Sequence, residues 1–97
     1  MIEIKFFPKV GVFAENKDIA RDIRINELIP PLERGESLTL NFENVTNATQ
    51  SFIHALISDL IRKFGIEVLD RVFFKSCSEN VQKIIKIVVD YMQEGTD

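Results

Sequence analysis

The sequence predicts a small α/β domain, with a mixed or mostly parallel sheet of about four strands and helices mainly on one face. Three observations predict it. Ile2-Glu3-Ile4-Lys5-Phe6 and Leu38-Thr39-Leu40-Asn41-Phe42 alternate apolar and polar residues, the period of a strand with one buried face. Phe52, Leu56, Leu60 and Phe64, and later Val81, Ile84, Ile85, Val88, Val89 and Met92, recur at helical spacing. Strand-like and helix-like stretches also succeed one another along the chain. That order favours parallel pairing, because each crossover passes through a helix.

Size and charge bound what such a domain can do. Ninety-seven residues make a single domain spanning 1–97, and 45% apolar residues suffice for a core without covalent staples. The net charge of −3, with dispersed lysines and arginines, argues against nucleic acid as a ligand. The single cysteine, Cys77, allows neither an internal disulfide nor a multi-cysteine metal site. Met1-Ile2-Glu3 is not the start of a signal peptide, and no apolar run is long enough to cross a bilayer. The expectation is a cytoplasmic protein with no membrane partner.

In chain order, Pro8 ends the first strand, since proline supplies no ladder donor. Val10-Gly11-Val12-Phe13 is a second extended run. It either forms a hairpin with the first about Pro8-Lys9 or continues it as one broken strand. Asn16 caps the next helix, with Asp18 in its first turn. Ile19, Ala20 and Ile23 form one apolar stripe; Ile25, Leu28, Ile29 and Leu32 form a second, slightly out of phase. Pro30-Pro31 should stop this helix near Leu28. Arg34-Gly35-Glu36 is a turn into the Leu38–Phe42 strand, and Glu43-Asn44 is a turn out of it.

Asn47 or Thr49 caps the long helix that follows, each offering a side-chain oxygen to unpaired first-turn amides. Its apolar surface, Phe52, Ile53, Leu56, Ile57, Leu60, Ile61 and Phe64, is wide enough to pack on a sheet and on something else besides. Its polar edge is Ser51, His54, Ser58 and Arg62, which share one stripe at steps of three and four. Gly65 closes the helix. Ile66–Leu69 leads into the last strand, Arg71–Lys75. Ser76 with Glu79 fits a capping box before the final helix. Gly95 ends that helix, and Thr96-Asp97 should fray.

Ser51 is the residue of most interest. At a helix N-terminus the free amides and the dipole favour a phosphate, and phosphorylation would add nearly two negative charges; the plainer role is that of a serine in a cap. His54, the single histidine, stands three residues away on the same face, but no orienting group or oxyanion motif accompanies the pair. Cys77 lies at a strand-to-helix junction, where a half-buried structural thiol is expected. Phe6-Phe7 and Phe73-Phe74 read as core and sheet-face residues rather than base-stacking platforms. No Gly-rich phosphate loop occurs and carboxylates stand singly. No catalytic residue, metal or cofactor is assigned.

From about Gly35 to Val89 the order of elements resembles the STAS family, the sulfate transporter and anti-sigma factor antagonist domains. In those, a strand runs into an aspartate-serine-serine-glycine turn whose second serine is phosphorylated. Thr49-Gln50-Ser51-Phe52 falls at that motif, with Ser51 at the phosphoserine position, Thr49 for the aspartate, Gln50 for the first serine and Phe52 for the glycine. The chain is more similar still, over most of its length, to the compact STAS-like family DUF4325. The shared features are a Gly-containing N-terminal strand region (Val10-Gly11-Val12), a strand ending Asp-Phe (here Asn41-Phe42) and Ser-Phe opening the central helix (Ser51-Phe52).

The resemblance implies a bacterial, non-enzymatic module that docks a protein partner, typically an ATP-binding serine kinase of the histidine-kinase-like ATPase type. It implies docking through Thr49, Ser51, His54 and Ser58; the polar stripe adds Arg62. Phosphorylation of Ser51 would be the switch. The alternative expectation is a structural subunit of a bacterial defence or toxin–antitoxin type system, a homo-oligomer acting without phosphorylation. A small hydrolase using Ser51 and His54 is a remote third.

Overall fold

A computed structural model describes residues 2–94, the side chain of Glu94 excepted. The expectations for Gly95, Thr96 and Asp97 lie outside the described residues. Strands β1 (Ile2–Lys5), β3 (Leu38–Asn41) and β5 (Val72–Lys75) form a parallel sheet in the order β1-β3-β5, with Ile2 opposite Leu38 and Leu38 opposite Val72. Alternation assigns its faces. Ile4, Leu38, Leu40 and Val72 are buried on one side, while Glu3, Lys5, Phe73 and Lys75 are exposed on the other. The α/β class and the parallel pairing are as the sequence predicts.

Helices α2 (Lys17–Ile23), α4 (Gln50–Phe64) and α5 (Glu79–Glu94) supply the rest of the core, and α4 packs against both α2 and α5. That position accounts for its wide apolar surface: Phe52, Ile53, Leu56, Ile57, Leu60 and Ile61 are all buried. The core is knitted by aromatic rings. Phe6 stacks on Phe42 with centroids 4.4 Å apart and planes 12° apart, and Phe52 meets Phe6 edge-on at 6.3 Å.

Three local expectations are corrected. First, β2 (Phe13–Ala14) makes neither a hairpin with β1 nor a continuation of it. It pairs parallel with β4 (Asn47–Ala48) in a separate two-stranded sheet, so five short strands in two sheets replace one sheet of about four. Between β1 and β2 lies a single helical turn, α1 (Phe7–Val10). Pro8 sits in its first positions, where the missing N–H costs no helical bond.

Second, helical backbone continues through Pro30-Pro31. A π-helical turn (Arg24–Leu28) joins α2 to α3 (Ile29–Glu33). The wider turn inserts a residue, with the Ile29 N–H bonded to the Arg24 carbonyl. Pro30 and Pro31 then occupy the first positions of α3, which prolines tolerate. The same insertion explains the two stripes out of phase, since the buried positions step from Ile23 to Leu28.

Ile66–Asp70, which leads into β5, is a 3₁₀ turn. Third, Ser78 and not Ser76 caps α5. The Ser78 Oγ accepts from the Val81 N–H at 3.2 Å and donates to the Thr46 carbonyl at 2.9 Å. Ser76 is held at φ 58°, a left-handed turn position that cannot present its side chain to the helix.

Candidate functional site

The site is built where β3 ends and α4 begins. Asn41 closes β3. It is only 7% exposed, and both ends of its amide are used. Its Oδ1 accepts from the Glu43 N–H at 2.8 Å, and its Nδ2 donates to Glu3 Oε2 at 3.1 Å. The first bond folds the chain into the turn, whose next residue, Asn44, has φ 70°. The second fastens that turn to β1. Lys75 Nζ reaches the same Glu3 oxygen at 3.3 Å. The hydrogen bond from Asn41, then Lys75, holds the Glu3 carboxyl below the usual carboxylate range.

From this turn the chain passes through β4 into α4. Thr49 is the cap: its Oγ1 accepts from the Phe52 N–H at 3.1 Å. Asn47 instead bonds the Ala48 N–H through its own Oδ1. Thr49 is half-buried and engaged in that cap. Gln50 and Ser51 follow as the first two helical residues, and both are exposed. The helix dipole and the unpaired first-turn amides are therefore directed past Ser51.

Ser51 opens onto a surface groove of about 520 Å³ lined by Lys17, Gln50, Ser51, His54, Ala55 and Tyr91. Lys17 comes from the start of α2 and Tyr91 from the last turns of α5, so three helices meet there. The His54 ring lies 6.2 Å from that of Tyr91, tilted by 54°. Ser51 and His54 thus share one groove, yet no hydrogen bond joins them among the described residues.

The remaining predicted site residues separate from this groove. Ser58 is 2% exposed, because α4 is flanked by α2 and α5. The polar stripe is therefore not a continuous exposed surface. Arg62 is exposed but lies three turns on, roughly 16 Å along the axis. It pairs with Asp59 at 2.8 Å, and Asp59 also pairs with Arg24 at 3.1 Å. Arg24, largely buried, donates in addition to the Ala55 carbonyl and ties the π turn to α4.

Lys17, Ala55 and Tyr91 escaped the sequence reading, and Gln50 entered it only as part of the motif around Ser51. Tyr91 carried a usable signal. With Ile87 it stands four residues apart on α5, off the phase of the core stripe, and it is 60% exposed. Lys17 carried none, since only the meeting of α2 with α4 brings it near Ser51.

Elsewhere, no group of three or more His, Cys, Asp or Glu residues is placed to hold a metal ion among the described residues. No helix among them is long and apolar enough to cross a membrane. Cys77 is half-buried, and burial pushes its thiol up to about 11. Relative to an ordinary thiol at 9.0, its thiolate population at pH 8 should fall about a hundredfold. Greater intrinsic nucleophilicity recovers about tenfold. Cys77 is therefore expected to react with an aromatic disulfide reagent about ten times more slowly than a free cysteine, as stopped-flow absorbance would show.

The order of elements that builds this corner is one seen before. The family model described as a STAS-like domain of unknown function (DUF4325) matches residues 23–82, more than half of the chain. The match runs from the last residue of α2 through β3, β4, α4 and β5 into the first turn of α5. It includes Asn41, Thr49, Ser51 and His54, and leaves β1 and β2 outside. No curated protein and no solved structure matches the chain. The chain belongs to the DUF4325 family of STAS-like domains.

Proposed function

We propose that the domain is a regulatory docking module. It binds a protein partner across the groove at the start of α4, and phosphorylation of Ser51 switches that binding. The observation that carries this reading is the position of Ser51. It is exposed, in the first turn of a long helix, and opens onto a groove with a cation on one side and an aromatic ring on the other. A phosphate on Ser51 would meet the unpaired first-turn amides and the positive end of the helix dipole, with Lys17 lining the same groove. It would also change the charge of the surface that a partner must cover. Tyr91 and Ile87 extend that surface with apolar area of the kind that anchors interfaces.

The partner class is argued from the STAS-like likeness: an ATP-binding serine kinase of the histidine-kinase-like ATPase type, met in the cytoplasm. Docking and switching need no chemistry from the domain itself. The contacts are assigned to Ser51, His54, Lys17 and Tyr91, with Thr49 shaping the helix start. Buried Ser58 and distant Arg62 are left out.

Recovery of the tagged protein from its native host, with the intact mass of the bait measured, tests the reading. The expected result is an ATPase partner and a phosphate localised to Ser51. In a direct binding assay with that partner, Ser51→Asp is expected to weaken affinity tenfold or more, about 1.4 kcal/mol, while Ser51→Ala, which loses one small contact, stays within about threefold of the wild type. The same Ser51→Asp change should stabilise the fold by about 0.3–1 kcal/mol in urea, because the new carboxylate sits at the helix N-terminus. Equal affinity for all three proteins would sink the switch.

A further inference from the structure

The groove at Ser51 is the head of a longer seam, where α2 lies against α4. Lys17, at the start of α2, lines the groove beside Ser51. Two turns on, Arg24 reaches the Ala55 carbonyl and the Asp59 carboxylate, the latter at 3.1 Å. Those contacts mark the flank of α2 that faces α4. Helical spacing puts Lys17, Arg21 and Arg24 within an arc of about 60° on that flank. Asp18 and Asp22 fall about 100° further round than Lys17 and Arg21, on the outer side. Along the sequence the charges of α2 alternate; in space they separate.

The chain carries a net charge of −3, yet this seam is positive. The carboxylate on it is Asp59, shared by Arg24 at 3.1 Å and Arg62 at 2.8 Å. One carboxylate against two guanidinium groups leaves a positive surplus before Lys17 and Arg21 are counted. Lys17 and Arg21 are exposed, and among the described residues neither side chain has an ion-pair or hydrogen-bond partner. Other lysines are neutralised within the chain: Lys9 holds Glu27 at 2.9 Å, and Lys86 holds Asp90 at 3.0 Å.

We propose that the partner docked here presents an acidic segment, whose aspartate or glutamate side chains lie along the α2–α4 seam on Lys17 and Arg21. The proposal rests on the docking reading and names the chemistry of the partner. Complementary charge across an interface steers encounter and rejects partners of the wrong sign. The shape of the charge selects the class of partner. Lys17 to Arg24 spans about 10 Å of helix, and Asp18 and Asp22 border that span. A nucleic-acid backbone or an anionic membrane extends beyond the seam and would meet those carboxylates. A short acidic segment fits between them and α4.

The same arrangement gives the Ser51 switch its means. A phosphate on Ser51 stands in one groove with Lys17, draws that cation to itself and repels a carboxylate approaching it. Phosphate and partner compete for one cation.

Fluorescence anisotropy with a labelled oligo-glutamate peptide at low salt tests the seam directly. The expected result is binding that an oligo-glutamine peptide of equal length does not show. It should fade as salt is raised, since exposed pairs are screened. Lys17→Gln combined with Arg21→Gln is expected to weaken it about tenfold, and Ser51→Asp about threefold, with unchanged circular dichroism spectra. Lys5→Gln, on the open face of the sheet, should leave it within about twofold. Absence of binding, or equal loss from Lys5→Gln, overturns the proposal. So does an oligothymidylate or a phosphatidylserine vesicle held more tightly than oligo-glutamate through Lys17 and Arg21. Failure of the docking reading looks different. A recovered partner that binds the double variant as tightly as the wild type overturns the acidic segment and leaves docking in place. Peptide binding as expected, with no partner recovered, removes the docking reading and leaves the acidic-peptide site.

Discussion

Phe42→Ala is expected to destabilise the domain by about 3–5 kcal/mol, the usual cost of emptying a buried aromatic site. Phe42 has no exposed surface, stacks on Phe6 and lies 6.5 Å from Phe74. It is the residue on which strand β3, the N-terminal Phe6 and, through Phe6, the first turn of α4 converge. The surrounding wall belongs to three different elements, so collapse into the vacated space would have to move a strand or a helix. A domain of this size holds about 5–15 kcal/mol in all, so the variant should approach the unfolding threshold at ordinary temperature. Urea titration checks it: the midpoint should fall with the slope unchanged. Phe73→Ala, a change of the same chemistry on the exposed face, should shift stability by no more than about 0.5 kcal/mol.

The second large effect is expected at Asn41. Asn41→Ala removes two hydrogen bonds at a buried position, one of them to a charged group, and should cost about 2 kcal/mol. Its pH dependence identifies the cause. The Glu3 carboxyl is held below its ordinary value of 4.5 chiefly by Asn41 and secondly by Lys75. A carboxylate with a lowered folded-state value contributes stability that is present above the unfolded value and is lost as pH falls through the folded one. The difference between wild type and Asn41→Ala should therefore be largest at neutral pH and narrow on the acid side of 4.5. It should not vanish, because the bond to the Glu43 N–H does not depend on Glu3. Asn41→Asp would set a second carboxylate against Glu3, and Glu3→Gln should relieve that repulsion. Chemical denaturation of the four proteins at neutral and acid pH separates these effects.

Both residues show what could be read in advance. Phe42 was legible as a strand residue on the buried face, and Asn41 as the polar residue at the strand end. That Asn41 is buried and fastened to Glu3 was not legible, because the bond spans thirty-eight positions and depends on β1 lying beside β3. Thr49 and Ser51 were read from cap chemistry, which acts within one turn and so leaves its mark in adjacent residues. The π turn left only a slip in phase between two apolar stripes. The prolines after it gave the opposite signal, since a proline that opens a new helical segment and one that ends a helix look alike in sequence.

Local pattern settled the three strands of the main sheet and the three long helices, that the class is α/β, and that Ser51 stands at the head of a long helix. Those properties follow from spacing, capping and alternation, which act between near neighbours. The tertiary structure decided what those neighbours could not. It divided the strands between two sheets, buried Ser58 while leaving Ser51 open, and brought Lys17 and Tyr91 to the same groove. It also left the β5 edge free while β3 was paired on both sides. Each of these depends on which element packs on which, and a helical wheel or a strand period says only that residues share a face, never what will cover it.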